Sequence, residues 1–358
     1  MGFIKKHVVA VIAVLAAVIS SCFVLPDKEY LSYFDTRVLM SLFCFIAVIT
    51  AFEITGVFRF IAEKSISYFV DIRRAVFGLV FLTAIFSMFV SNDIALLTML
   101  PLTYMILKET DNLDLLAYLF TLETVAANLG GMLLPFGSPQ NIFLFSYFEI
   151  PFKDFIEIMW PPFLVSTALI FLFCCFVSNR GLPKIKTFEP TFDKPQLISI
   201  TVLFLLALTI ILRITPVYIG LIIPLILFFV CRPALLRLDW ELLLVFTAFF
   251  VFAGNIGRLD FVQEINVDIA LTAVVGSQVI SNVPTAILLA QTTEDFRSIL
   301  LGTNIGGVGT LVASLANLIA YSKYREYLPG DDKKFLGIFS GVNFFILFVL
   351  IAIFMIVF

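Results

Sequence analysis

Long uninterrupted apolar runs limit this chain to a membrane-spanning helical fold. The apolar residues gather in long runs rather than with a period of two or of three to four, and runs of about 20 such residues cross a bilayer. Of the 358 residues, 61% are hydrophobic and only 14% are charged, whereas soluble domains carry about 25% charged residues. The sequence therefore predicts an all-α polytopic membrane protein whose surroundings are lipid, and no basic stretch indicates a nucleic-acid partner.

Nine of these runs are predicted to cross the membrane once each. They are residues 8–25, 38–58, 113–148, 160–177, 197–212, 217–231, 240–256, 298–321 and 335–358. Two further runs, 75–107 and 268–292, are broken in the middle by Ser-Asn, and we interpret both as re-entrant hairpins. The second hairpin has arms of about 12 and 9 residues, which are too short for a hydrocarbon core of ~30 Å. The first has arms of about 16 residues.

The distribution of lysine and arginine predicts the orientation. With the N-terminus in the cytoplasm and the C-terminus outside, 17 of the 23 basic residues lie on the cytoplasmic side, as the positive-inside rule requires. We therefore expect a bacterial-type inner-membrane protein. Lys5, Lys6 and the first run resemble a signal peptide, and Ile19-Ser20-Ser21-Cys22 resembles a lipoprotein cleavage box, but the many spans that follow favour an uncleaved first helix. His7 is expected to face water.

The cysteines and the missing motifs narrow the function class. The five cysteines show no metal-binding spacing and are expected to act as small apolar residues of the helices; they are Cys22, Cys44, Cys174, Cys175 and Cys231. The chain has no HExxH, no GxGD pair, no Ser/His pair within a membrane run and no nucleotide-binding loop, so we expect neither an enzyme nor an organic cofactor. A channel remains an alternative, because it too would use polar breaks in its helices.

The chain contains an internal repeat. Residues 178–196 form the longest polar stretch and read as a cytoplasmic linker. Motifs on the two sides of it correspond: Glu53–Phe60 with Gly254–Phe261, Ser91-Asn92 with Ser281-Asn282, and the segment 128–141 with 304–317. The predicted units are a first repeat over 1–177, a linker with a connecting helix over 178–216, and a second repeat over 217–358. An odd number of crossings separates equivalent points, so the repeats are inverted, which is typical of alternating-access carriers.

Four polar breaks interrupt the apolar pattern: 91–93 (SND), 128–141 (NLGGMLLPFGSPQN), 281–285 (SNVPT) and 302–310 (GTNIGGVGT). Irregular backbone at membrane depth must face protein or a water-filled cavity. Free helix N-termini attract anions and free carbonyl groups attract cations, so the breaks together predict a site for an anion and its coupling cation. The candidate binding residues are Ser91, Asn92, Asp93, Asn128, Gly130, Gly131, Ser138, Pro139, Asn141, Ser281, Asn282, Pro284, Thr285, Asn304, Gly306, Gly307 and Thr310.

Three carboxyl groups lie in or near the apolar runs, where a charge is costly and indicates function. Asp93 is predicted to be the charged element of the coupling site because it occupies a hairpin tip. Glu123 and Glu53 are candidates for a proton or cation relay, although Glu53 would also suit a solvated helix end and Glu123 a buried ion pair. A sodium ion, if bound, is expected near Asn92, Asp93 and Asn282.

These motifs resemble those of the ion transporter superfamily, which includes arsenite permeases, sodium/proton antiporters, citrate carriers and divalent-anion/sodium symporters. The resemblance covers nearly the whole chain and implies a scaffold with a mobile transport unit that moves as an elevator, often in a homodimer. The symporters carry Ser-Asn-Thr at both tips, where those residues bind sodium and carboxylate. In this chain Asp93 and Val283 replace the threonines, and this departure makes a dicarboxylate substrate doubtful.

The resemblance thus predicts an ion-coupled secondary transporter, driven by sodium or protons, for a small anion or oxyanion such as a carboxylate or arsenite. The Asn-Asp pair of the first tip is closer to the arsenite-permease and antiporter branch. A sodium/proton antiporter of the same superfamily is therefore the alternative prediction.

Overall fold

The structure, a computed structural model, describes residues 8–66, 71–178, 192–258 and 268–356, and these segments fold into α-helices. His7 and most of the linker 178–196 lie outside the described residues. The helices before the linker are α1 (Val8–Phe23), α2 (Thr36–Thr55), α3 (Val57–Ile66), α4 (Ile72–Val90), α5 (Asn92–Glu109), α6 (Leu116–Gly130), α7 (Pro139–Tyr147) and α8 (Phe152–Cys175).

The second part of the chain begins with the connecting helix. Its helices are α9 (Lys194–Ile211), α10 (Ile222–Val230), α11 (Arg232–Leu236), α12 (Trp240–Gly257), α13 (Ile269–Ile280), α14 (Asn282–Ala290), α15 (Phe296–Ile305), α16 (Leu315–Tyr327) and α17 (Asp332–Ile351). Short 3₁₀ turns cover Lys28–Tyr33, Leu113–Leu115, Val217–Leu221 and Leu311–Ala313, and a π turn covers Ala352–Ile356.

Aspartates determine where many of the helices begin. A side-chain oxygen of the residue before the helix accepts a hydrogen bond from a backbone N–H of the first turn, which satisfies a donor that has no partner within the helix. This arrangement starts α2, α4, α9, α12, α13 and α15, at Asp35, Asp71, Asp193, Asp239, Asp268 and Asp295 respectively. Six of the 26 acidic residues of the chain therefore serve to start helices.

The protein is a multi-pass membrane protein. Among the described residues, seven helical segments are long and apolar enough to cross a membrane: Thr36–Thr55, Ile72–Val90, Leu113–Gly130, Phe152–Cys175, Lys194–Ile211, Trp240–Gly257 and Asp332–Phe354. Six of them fall on predicted crossings. The seventh is the first arm of the first predicted hairpin, whose two helices have 19 and 18 residues rather than the expected 16. The second hairpin has arms of 12 and 9 residues, as predicted.

The predicted crossing 217–231 is not one long helix. A 3₁₀ turn over Val217–Leu221 precedes the nine-residue helix α10. Pro224 has no N–H to donate to the carbonyl oxygen of Gly220, and the thiol of Cys44 donates to that oxygen instead at 3.4 Å. The helix is therefore shorter than the apolar run that contains it.

Helices from the two halves of the chain pack against each other in a crossed pattern. Helix α1 lies against α12, while α10 and α11 lie against α2. Helix α5 lies against α16, and α14, its counterpart in the repeat, lies against α7. Each half thus contributes helices that are buried by the other half.

The breaks in the two interrupted segments lie within this crossed packing. We call residues 131–138, between α6 and α7, the first break, and residues 306–314, between α15 and α16, the second break. A large apolar cluster surrounds both, and its biggest fully buried side chains include Phe120, Phe143, Phe246 and Tyr324. A second cluster fills the space between α2 and α9–α11. The interior therefore encloses the irregular backbone, as a membrane protein requires.

Polar contacts fasten α1 to α12. The buried Asn255 donates to the hydroxyl oxygens of Ser20 at 3.0 Å and Ser21 at 3.3 Å. Beyond the helix end, Arg258 donates to Asp27 at 2.8 Å, and this hydrogen bond holds the pKa of the Asp27 carboxyl below its usual value. The serines that resemble part of a lipoprotein cleavage box thus hold α1 in the folded protein.

The close contact between Gly254 and the ring of Tyr33 predicts an effect on stability. We expect Gly254→Ala to lower the thermal unfolding midpoint, because the added Cβ would lie 2.5 Å from the ring of Tyr33. Gly257→Ala, one turn further along α12, is the matched control, since its Cβ would meet nothing closer than 3.4 Å. Alanine favours a helix over glycine by roughly 0.5–1 kcal/mol, so the control should keep or raise the midpoint. Circular dichroism in detergent measures both, and equal midpoints would contradict this packing.

Candidate functional site

The two helix hairpins turn at serines that share an unusual backbone conformation. Ser91 has φ 80° and ψ 151°, and Ser281 has φ 77° and ψ 157°. Residues other than glycine rarely adopt positive φ, and each such residue costs about 1–3 kcal/mol. Such strain concentrates at functional sites, so the near-identical geometry of the two turns indicates a shared role. We call Ser91–Asp93 tip one and Ser281–Val283 tip two.

Tip one is bonded to the first break. The backbone N–H of Asn92 donates to the carbonyl oxygen of Gly137 at 3.2 Å, and its side-chain amide donates to Asn128 Oδ1 at 3.2 Å. The side-chain oxygen of Asn92 accepts from the backbone N–H of Asp93 at 3.1 Å. Asn92, which is 3% exposed, therefore joins the start of α5 to both sides of the first break.

Tip two also contacts the second break, through a different donor. Asn282 Oδ1 accepts from the backbone N–H of Val283 at 2.9 Å, and the hydroxyl of Ser281 donates to the carbonyl oxygen of Ala313 at 3.4 Å. A Cβ added at Gly307 would come within 3.3 Å of Asn282 Nδ2 and 3.7 Å of Asn128 Oδ1. Asparagines from both halves of the chain thus converge at this glycine.

Two asparagine pairs join the breaks to each other. Asn128 donates from its side-chain amide to Asn317 Oδ1 at 2.8 Å, and Asn304 donates to Asn141 Oδ1 at 2.7 Å. Because Asn128 corresponds to Asn304 and Asn141 to Asn317 in the predicted repeat, each pair occupies the position predicted to be equivalent to the other. All four side chains are at most 6% exposed.

The acceptors in these pairs also bind the backbone of their own break. Asn141 donates to the carbonyl oxygen of Gly131 at 3.3 Å, and Asn317 donates to that of Gly307 at 3.1 Å. Buried backbone groups at a helix end need such partners. The asparagines therefore both satisfy the breaks and hold the two halves together.

Glycine is required where the first break folds back on itself. A Cβ at Gly137 would lie 2.1 Å from the carbonyl oxygen of Gly131, and a Cβ at Gly131 would lie 2.6 Å from the hydroxyl oxygen of Ser87. The same hydroxyl donates to the carbonyl oxygen of Ala127. The tight reversal thus brings α4 against the end of α6, one helical turn before tip one.

The second break is held by one further side chain. Gln278 donates to the carbonyl oxygens of Gly306 at 2.8 Å and Val308 at 3.1 Å, and its side-chain oxygen accepts from the N–H of Thr310 at 2.8 Å. The position equivalent to Gln278 in the first half is Met88, which offers no amide. The two breaks therefore differ in how firmly the protein itself holds them.

A cavity of about 720 Å³ opens beside tip one. Its charged lining groups are Glu53, Asp93, Arg237 and Asp239, among side chains of α2, α4, α5 and α7. Asp93 Oδ1 is buried and has no hydrogen-bond partner among the described residues, and the helix that follows Ser91 receives no side-chain cap. The carboxyl group of Asp93 therefore faces the cavity rather than capping α5.

The structure brings most of the predicted site residues together and separates others from them. Ser91, Asn92, Asn128, Gly131 and Asn141 surround the first break, and their counterparts in the second half surround the second. Around these contacts lie Gly130, Ser138, Pro139, Pro284, Thr285, Gly306 and Thr310. Glu53 and Asp93 line the cavity, whereas Glu123 lies apart from it, bonded to Thr103.

Four contributors are absent from the predicted binding residues: Asn317, which the repeat pairs with Asn141, and Gln278, Arg237 and Asp239. Asn317 has a signal, because it lies 176 residues after Asn141, the same spacing that relates Asn128 to Asn304. Gln278 and the charged pair stand in no recurring motif. Among the described residues, no three His, Cys, Asp or Glu side chains lie close enough to hold a metal ion.

Comparisons with known proteins agree with this architecture. Residues 1–298 match the citrate transporter family. An inner membrane protein of Escherichia coli, YbiR, is 32% identical over 305 residues, which cover 82% of this chain and 81% of that protein. An uncharacterized transporter of Methanocaldococcus jannaschii is 31% identical over 303 residues, with 83% of both chains covered. The crystal structure of the Alcanivorax borkumensis YdaH transporter has the same fold, with a TM-score of 0.56 at 11% identity over 91% of this chain and 86% of that one.

The asparagine pairs should couple the two halves energetically. We expect Asn128→Ala and Asn317→Ala each to lower the free energy of unfolding by about 1–3 kcal/mol, because each leaves a buried amide unpaired. In a double-mutant cycle the pair should show a coupling energy of about 0.5–3 kcal/mol. The cycle with Asn304→Ala and Asn141→Ala is the matched control and should give a similar value. Denaturant unfolding in detergent measures both cycles, and additive effects in either would contradict the paired geometry.

Proposed function

Because this chain belongs to the citrate transporter family, and is a secondary transporter rather than an enzyme, we propose that it carries a small anion or oxyanion, such as a carboxylate or arsenite, between the two tips. The observation that carries this proposal is the meeting of both tips with both breaks at one cluster of buried asparagines. Amide groups and helix N-termini bind anions without a buried arginine. The binding residues of the proposal are those of the two tips and two breaks.

The proposed architecture is a pair of inverted repeats, 1–177 and 217–358, separated by a linker and connecting helix over 178–216. Three observations support it: the crossed packing of equivalent helices, the matched conformation of Ser91 and Ser281, and the two equivalent asparagine pairs. Rigid movement of one helix group against another around a fixed site is the usual transport mode of such folds. We propose an elevator-type movement of the helices that carry the tips and breaks, in a homodimer in the inner membrane.

The proposed coupling ion is sodium or a proton, with Asp93 as the charged element and Glu53 beside it in the cavity. A carboxylate that lines a cavity within the membrane is a functional group by default. Tip two has the uncharged Val283 at the equivalent position. The coupling sites of the two halves are therefore proposed to be unequal, with a sodium ion, where used, near Asn92, Asp93 and Asn282.

One observation favours a second candidate function, sodium/proton antiport. The cavity lining carries three carboxyl groups, those of Glu53, Asp93 and Asp239, against the single guanidinium of Arg237. A cavity with this excess of carboxyl groups attracts cations more readily than a free anion. Anion transport therefore requires a cation to enter the cavity with the anion, whereas antiport requires the cation alone.

Uptake by reconstituted protein tests the proposal directly. We expect purified protein in lipid vesicles to show saturable citrate or arsenite uptake and counterflow that depends on a sodium or pH gradient. Saturation and counterflow would exclude a channel. Cation exchange without movement of either anion would favour the antiporter instead.

The tip asparagines provide a first mutational prediction. We expect Asn92→Ala and Asn282→Ala each to abolish uptake in folded, inserted protein, since both amides lie where the tips meet the breaks. Asn255→Ala is the matched control, because Asn255 is equally buried but binds α1 rather than a tip. Near-normal uptake by both tip variants would refute the assignment.

Cysteines placed at 92 and 282 should be labelled from opposite sides in different states, and permanent labelling from both sides would exclude alternating access.

Asp93 provides a second mutational prediction. Asp93→Asn keeps the size and polarity of the side chain but removes its charge, so we expect uptake to become independent of the ion gradient or cation affinity to fall about tenfold for each 1.4 kcal/mol lost. Asp295→Asn, at a capping aspartate outside the cavity lining, is the control and should leave ion dependence unchanged. Unaltered ion dependence in Asp93→Asn would remove Asp93 from the coupling site.

A further inference from the structure

Glu123 is a fully buried acid that lies outside the cavity. It is 0% exposed on α6, between Thr83 on α4 and Thr103 on α5, which are also 0% exposed. The hydroxyl of Thr103 donates to Glu123 Oε1 at 2.6 Å. Glu123 Oε2 is buried and has no hydrogen-bond partner among the described residues. Among the described residues, the carboxyl group thus accepts a hydrogen bond from Thr103 alone.

This environment suits the neutral acid and not the anion. A carboxylate offers about four lone-pair sites, and an isolated buried charge is very costly unless it is paired. Thr83 borders the same carboxyl group, but its hydroxyl hydrogen is already donated to the carbonyl oxygen of Leu79 at 2.8 Å. With its hydrogen directed to Leu79, Thr83 does not supply a second donor to the carboxyl group.

Within the part of the chain that the structure describes, no cation pairs with the carboxyl group of Glu123. Among the described residues Glu123 takes part in no ion pair, and the charged groups of the helices packed against α6 lie toward the helix ends. Those groups are Arg73 and Arg74 on α4, Asp93, Lys108 and Glu109 on α5, Lys153, Asp154 and Glu157 on α8, Arg297 on α15, Lys323, Arg325 and Glu326 on α16, and Asp332, Lys333 and Lys334 on α17. The tyrosines of these helices include Tyr324, which donates to Asp331 instead.

The position of Glu123 connects it to the transport site. Five residues further along α6 is Asn128, which binds Asn92 at tip one, and Thr103 stands on the helix that starts at Asn92. A proton on Glu123 keeps α5 and α6 in contact, whereas an anion there needs water and favours their separation. A proton held out of contact with solvent also travels with these helices when they move.

We propose that Glu123 binds and releases the proton that is coupled to transport. The O–H bond at Oε2 breaks when water reaches the carboxyl group between α5 and α6, the proton passes to that water, and the carboxylate stays hydrated until the water leaves and a proton returns. This inference rests on the proposed transport function and specifies its coupling ion. The hydroxyl of Thr103 is a positioning group that holds the acid in the interface.

Infrared difference spectroscopy tests the proposal without any substrate. Purified wild-type protein in lipid should show the C=O stretch of a protonated carboxyl group that disappears as the pH is raised and shifts in D₂O. Glu123→Gln should lack this band. Glu63→Gln is the matched control and should keep it, because Glu63, also buried, is paired with Arg59 at 2.6 Å. Absence of a Glu123-dependent band, or a band that no accessible pH removes, would overturn the proposal.

Transport measurements separate this inference from the proposed function. With citrate as probe, Glu123→Gln should keep exchange of labelled for unlabelled citrate. Its accumulation of citrate under a pH gradient should be at least about tenfold lower than that of the wild type, which is equivalent to 1.4 kcal/mol. Thr103→Val should shift the pH at which the infrared band disappears, and Thr103→Ser should return this pH to the wild-type value. If the vesicles transport neither citrate nor arsenite but the infrared band of Glu123 titrates with pH, the proton site stands and the substrate proposal fails. Full pH-driven accumulation in Glu123→Gln would refute the proton site.

Discussion

Backbone groups that lose their helical partners inside a membrane must find others within the protein, and the rest of this structure depends on how that requirement is met. Each broken segment ends one helix and begins another where water is scarce. Asparagine side chains provide a replacement partner in each break, since one amide can donate and accept at once. Because those of the two breaks bind each other, satisfying the backbone also brings both tips, both breaks and the cavity to one place.

The sequence contained most of the fold because polar residues within apolar runs are conspicuous. The hairpin turns at Ser91 and Ser281, the breaks at Gly131 and Gly307 and most helix positions follow from that contrast alone. The length of α10 was misjudged because an apolar run shows nothing of whether a 3₁₀ turn will form before Pro224. The arms of the first hairpin were underestimated because polar residues such as Asp71 and Lys108 extend the helices beyond the apolar stretch.

The residues of the candidate site could largely be predicted from the sequence, but their hydrogen-bond partners could not. Sequence indicates that Asn128 and Asn304 correspond, yet not that each binds an asparagine of the other half, since that depends on how distant helices pack. Gln278 could not be found, because its role appears only when its amide is seen against three backbone groups of the second break. Glu123 was visible as an unusual acid, but its separation from the cavity depends on which face of α6 turns toward Thr103.

The crossed asparagine pairs have a consequence for how the protein is made. The ribosome delivers Asn128 and Asn141 to the membrane well before Asn304 and Asn317 exist, so these two side chains lack their partners in the second half until roughly half of the chain has followed. If the two halves were produced as separate polypeptides, each would carry buried asparagines whose partners lie on the other half. Hydrogen bonding between these asparagines would give the two halves a physical reason to associate in the bilayer.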